Sequence, residues 1–105
     1  MLYIDDEGNI IGHHQKLVPT LAERTVWAYG DPSTLQVYDI TLGKLGGFTC
    51  WKNYIPLARY TLYTQGISLY VAPTYDESDT WQASMKHIAC EGRTSVIGCC
   101  MAYKK

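Results

Sequence analysis

Apolar and polar positions change period twice along this chain, and the changes mark out its elements. Leu2 to Ile4 and Ile10 to Leu17 are apolar stretches on either side of Asp5-Asp6-Glu7-Gly8-Asn9, a cluster of turn formers. They read as two strands joined by a turn. Pro19 ends the second strand and opens an irregular stretch through Gly30-Asp31-Pro32-Ser33. Val26, Trp27 and Tyr29 within that stretch predict an ordered loop rather than a linker. Leu35, Val37 and Ile40 begin a further strand, Gly43-Lys44 turns the chain, and Leu45 to Cys50 returns beside it.

From Pro56 the period becomes helical. Proline suits a first helical turn, Leu57, Ala58, Thr61 and Leu62 form a stripe, and Gly66 ends it. Ile67 to Ala72 is nearly continuous apolar sequence, the pattern of a strand covered on both faces. A second helix starts within Asp76 to Asp79, sets Trp81, Met85 and Ile88 on one side, and reaches Gly92 as its C-cap. Thr94 to Ala102 makes the last strand. This order, β-β-loop-β-β-α-β-α-β, predicts an α/β sheet with helices layered on one face. No internal repeat and no low-complexity tract interrupts it.

Composition narrows the partners. A formal charge of −1 and a pI of about 6.2 give no basic field for nucleic acid or an anionic membrane surface. Charged residues make up 18% of the 105, below the ~25% of typical domains, while apolar residues reach 47%. The nine tyrosines and three tryptophans suit a core or a subunit interface. The start, Met1 to Glu7, is acidic where a secretory signal would be basic, and apolar runs fall far short of the ~20 residues of a membrane span. Cys50, Cys90, Cys99 and Cys100 form no C-x-x-C pair and are expected to be reduced thiols of a cytoplasmic protein. A zinc site built with His13, His14 and His87 would lack the usual ligand spacing, so no metal site is expected.

The chemistry concentrates in Gly46-Gly47-Phe48-Thr49-Cys50-Trp51-Lys52-Asn53. Two glycines close a β-rich stretch, a cysteine follows, and a helical pattern starts soon after. A cysteine at such a junction stands proud of the sheet, with backbone N–H groups of the next turn aimed at its sulfur. Upstream lie Lys16-Leu17-Val18-Pro19-Thr20 and Glu23-Arg24. Downstream come Pro56 to Tyr60, Val71-Ala72-Pro73-Thr74 and Met85-Lys86-His87-Ile88-Ala89-Cys90-Glu91-Gly92. In order and spacing this succession resembles the nitrilase branch of the carbon–nitrogen hydrolases, including the cyanide hydratases, over essentially all 105 residues.

The resemblance implies a fold, an α-β-β-α four-layer sandwich of which residues 1–105 would form a central part, without the N-terminal and C-terminal portions. It also implies roles. Cys50 matches the nucleophile of G-G-x-x-C-W-x-N, Lys16 the catalytic lysine of K-L-x-P-T, and Glu23 the auxiliary glutamate just downstream. Trp51, Asn53, Tyr54, Thr74, Trp81 and His87 are candidates for the substrate pocket, with the Trp51 N–H an oxyanion donor. The implied reaction converts a small-molecule nitrile to carboxylic acid and ammonia through a thioimidate and a thioester, or to an amide, without a cofactor. Full-length relatives would assemble as homo-oligomers, as dimers or helical filaments.

Three features depart from the family pattern. Its general-base glutamate would fall upstream of Met1, Lys52 stands where a glutamate is usual, and Gln15 replaces an arginine. An inactive fragment, an amidase or carbamoylase of the same superfamily, and a Cys50–His87 dyad stay open as alternatives.

Overall fold

The computed structural model describes residues 1–102. Strands β1 (Leu2–Ile4) and β2 (Ile10–His13) form an antiparallel hairpin. Its turn is held by the Asp5 carboxylate, which accepts the backbone N–H groups of Glu7 and Asn9 at 3.0 and 2.7 Å. The second strand ends earlier than its apolar pattern predicts. The last ladder bonds join His14 to Met1, and residue 15 onward has no strand opposite it among the described residues. An apolar run becomes strand only where a partner takes its backbone groups.

Residues 14 to 37 form the ordered loop, with 3-10 turns at Leu21–Thr25 and Pro32–Thr34. Its neck is closed by the Gly30 N–H, which donates to the carbonyls of Lys16 and Leu17. The main sheet follows, with β3 (Tyr38–Ile40), β4 (Gly43–Gly47), β5 (Leu69–Thr74) and β6 (Ser95–Cys100) in that spatial order. β3 and β4 pair antiparallel, and their turn is Thr41-Leu42 rather than the expected Gly43-Lys44, since Ile40 already faces Gly43. β4, β5 and β6 are mutually parallel. Helices α1 (Pro56–Thr64) and α2 (Asp79–Gly92) make the two crossovers.

Both helices cover one face of the sheet. Tyr70 and Ala72 of β5 pack with Ala58 and Leu62 of α1, and with Trp81, Met85 and Ile88 of α2, in a single cluster that includes Phe48. Each of the large members contributes about 1.5–3 kcal/mol by leaving water. The predicted α2 stripe is thus the buried one. The predicted α1 stripe is corrected at Leu57, which is 79% exposed, while Arg59 takes a buried position beside Ala58 and Leu62. β5 was expected to be covered on both faces. Tyr70, Ala72 and Thr74 are buried under the helices, whereas Leu69, Val71 and Pro73 on the other face are only half-buried.

Helix ends show where side chains override local preference. Ser78 caps α2 by accepting the Trp81 N–H at 3.2 Å. At the other end Gly92 is still helical and Arg93 takes the left-handed C-cap, with φ +47°. A Cβ on Gly92 would lie 2.5 Å from the Tyr63 ring, so the glycine serves a close approach between helices instead of a turn.

Candidate active site

Cys50 lies three residues beyond β4, at the start of a 3-10 turn, Cys50–Tyr54. Its φ is +54°, a left-handed conformation that costs a non-glycine residue about 1–2 kcal/mol. Such a residue persists only where its surroundings hold it. Gly47 prepares the bend with φ +146°, and a Cβ there would overlap the Val71 carbonyl oxygen at 1.9 Å. The second glycine of the motif therefore lets β4 approach β5 three residues before Cys50.

A cleft of about 560 Å³ opens at the carboxyl edge of the parallel strands. Cys50 reaches it from beyond β4, Pro73, Thr74 and Tyr75 from the end of β5, and Cys99, Cys100 and Met101 from the end of β6. Ligands of open parallel sheets gather at this edge, where loops diverge and backbone groups are unpaired. The long loop supplies the remaining wall, including Lys16, Leu21, Ala22 and Glu23. The cleft is mostly apolar, with one ion pair and one thiol of the Cys50 turn inside it.

That ion pair is short. Lys16 Nζ lies 2.6 Å from Glu23 Oε2, which also accepts the Thr20 backbone N–H at 2.6 Å. Glu23 thus closes a capping box on the Leu21–Thr25 turn and steers the ammonium at once. The Lys16 hydrogen bond, with that of Thr20, holds the Glu23 carboxyl below its usual range. Lys52 stands close by in charge terms. It is 6% exposed, and burial, with Lys16 nearby, lowers its pKa against the pull of Glu23 and Cys50. No carboxylate lies within 4 Å of its ammonium among the described residues.

Cys50, Lys16, Glu23 and Thr74 therefore share one cleft. The other candidates are placed elsewhere. Asn53 is fully buried and its amide is spent on the protein itself. Trp81 lies in the core under an edge-on Tyr54. Trp51 is half-exposed, donates its indole N–H to Asp76 Oδ2 at 3.4 Å, and lines a second recess together with Cys50, Tyr75, Asp76, Glu77 and Ser78. His87 is exposed on α2, 3.5 Å from Glu91, and lines a surface groove with Asn53 and Tyr54 that Cys50 does not enter. His13, His14 and His87 do not converge; no group of three potential metal ligands occurs among the described residues.

Cys99, Cys100 and Tyr75 are cleft residues that motif spacing did not suggest. The signal available was topological: they follow parallel strands, and parallel strands deliver their carboxyl ends to one edge.

Residues 1–104 match the carbon-nitrogen hydrolase family. A nitrilase of Bradyrhizobium diazoefficiens is 46% identical over 104 residues, covering 99% of this chain and 32% of the relative. Nitrilase 1 of Arabidopsis thaliana is 50% identical over 100 residues, covering 95% of this chain and 29% of the relative. A bifunctional nitrilase/nitrile hydratase of Nicotiana tabacum is 50% identical over 97 residues, covering 92% and 28%. The chain thus spans about a third of the length of the curated relatives it matches. A match along nearly the whole chain, with Cys50, Lys16 and Glu23 meeting in one cleft, places this chain in the carbon-nitrogen hydrolase family.

Proposed function

We propose that the protein carrying this chain hydrolyses nitriles through a covalent intermediate on Cys50. The observation that supports this reading best is the meeting of a strained, junction-borne thiol with a lysine–glutamate pair in one largely apolar cleft. The Cys50 thiolate adds to the nitrile carbon, and the nitrogen gains negative charge beside the Lys16 ammonium, then a proton, giving a thioimidate. Water adds to that carbon. Expulsion of ammonia leaves a thioester, and a second water releases carboxylic acid and the free thiol. Glu23, ionised and bonded to Lys16, orients the ammonium and exchanges protons with the attacking water and departing ammonia. A base for the thiol itself is expected from the portion of the relatives' length that this chain does not span.

The branch to amide is a second outcome of the same intermediate, in which the thiol leaves before ammonia. The bifunctional name of the Nicotiana tabacum relative favours testing for both products. The test is acid quenching of the full-length protein during turnover of a simple nitrile, followed by peptide mass spectrometry. An acyl adduct on the Cys50 peptide, with ammonia released, is the expected result. Turnover with the adduct on another cysteine, or with none, overturns the reading.

A further inference from the structure

The Asn53 side chain bonds, through its amide Nδ2, the backbone that bends at Cys50. Its Nδ2 donates to the Cys50 carbonyl at 2.6 Å and to the Phe48 carbonyl at 2.9 Å, so one amide bridges the two sides of the strained residue. The amide has one orientation only. Tyr70, fully buried on β5, donates its hydroxyl to Asn53 Oδ1 at 2.7 Å and so forces Nδ2 towards the carbonyls. The Asn53 backbone is held as firmly. Arg59 Nη1 donates to its carbonyl at 2.7 Å, and Arg59 is fixed by Glu91, Nε to Oε2, at 2.9 Å.

We propose that Tyr70 and Arg59 act through Asn53 as positioning residues that hold Cys50 in its left-handed geometry. The network draws on three elements: the sheet supplies Tyr70 and α1 supplies Arg59, which meet at Asn53, and α2 supplies the Glu91 that holds Arg59. Burial strengthens each bond and makes each loss costly, because a severed partner is left without water to replace it. Burial also raises the Tyr70 hydroxyl far above its ordinary value, so it remains a donor throughout the working pH range. Arg59 stays charged on the same span, since the Glu91 carboxylate offsets the cost of its burial. The clamp therefore does not titrate with the chemistry it supports.

The proposal rests on Cys50 as the nucleophile, and its test reads the thiol directly, apart from nitrile turnover. In the full-length protein, Tyr70→Phe removes one hydroxyl and keeps the ring. Carbamidomethylation by iodoacetamide is followed by peptide mass spectrometry at Cys50, with exposed Cys90 as reference in the same sample. The Cys50-to-Cys90 rate ratio should fall about tenfold, the loss of roughly one buried hydrogen bond. In the nitrile assay kcat should fall by a similar factor with KM within about twofold, as for a misplaced nucleophile rather than a lost binding contact. General loosening would instead raise Cys50 labelling. An unchanged or increased ratio, whatever the melting temperature, overturns the proposal. Should Tyr70→Phe fail to fold, Arg59→Lys, which keeps the charge and shortens the reach to Asn53, is read by the same ratio with the same outcomes. Failure of the nitrilase reading shows separately, as a protein with a normal Cys50 ratio and no acyl adduct.

Discussion

Cys50 rests on a turn whose supporting polar groups are buried and paired, whereas Lys16 stands on an irregular loop steered by a carboxylate whose side chain is 43% exposed. Both line the same cleft. The first arrangement favours one geometry, since the Asn53 amide bonds the backbone carbonyls of both Phe48 and Cys50. The second fixes a charge and tolerates movement, since a partly exposed pair is weak and exchanges easily with water. A nucleophile must approach one carbon along one line, but a cation that stabilises developing charge acts over a broader range of positions. The two supports suit those different demands.

The sharpest way to break the comparison is to remove the thiol. Cys50→Ala should abolish nitrile turnover in the full-length protein, on the order of 10⁴-fold or more, as for other nucleophile deletions. Cys99→Ala, in the same cleft but with its thiol turned to the neighbouring Cys100 carbonyl at 3.8 Å, should keep most of it. Steady-state ammonia release decides, and full activity in Cys50→Ala would sink the assignment. Next comes the charge on the loop. Lys16→Met keeps the stem and removes the cation, and kcat should fall about 10²–10³-fold, the cost of one oxyanion donor. A near-normal rate would make Lys16 a simple loop residue.

The third prediction concerns stability. Arg59→Met leaves the Asn53 carbonyl without its donor and the Glu91 carboxylate with only Tyr63 and His87 beside it among the described residues, and should cost about 1–3 kcal/mol, read from the urea midpoint. A change below ~1 kcal/mol would mean that solvent replaces Arg59 and that the Cys50 turn is not the rigid half of the pair.

The smallest effect belongs to Glu23. Its carboxyl titrates below its ordinary 4.5 in the folded chain. A depressed value contributes stability above the unfolded pKa, and that contribution is lost as pH falls through the folded one. Wild type should therefore lose the Lys16 pair in acid, below pH 4.5. Glu23→Gln should be slightly less stable near neutrality, by under ~1 kcal/mol, and should lack this acid-side decline. Melting temperatures of the two proteins across that range test it; parallel curves would remove Glu23 from the account.

Local pattern carried the reading of the elements a long way. The helical stripe of Trp81, Met85 and Ile88, the proline that starts α1, the Asp5 turn and the glycine-to-cysteine junction all follow from period and turn chemistry, which act between near neighbours. The motifs around Cys50, Lys16 and Glu23 were equally legible, because the residues of each sit close together in sequence. Only the tertiary structure decided which of these motifs meet. It placed Asn53 under the Cys50 backbone, outside the cleft that Cys50 shares with Lys16, buried Arg59 where Leu57 was expected, and left His87 on an outer face. It also ended β2 at His13, where no strand stands opposite residue 15 among the described residues. The physical reason is common to all four. Burial, hydrogen-bond partners and strand pairing are relations between segments distant in the chain, and a residue's own neighbours carry little information about them.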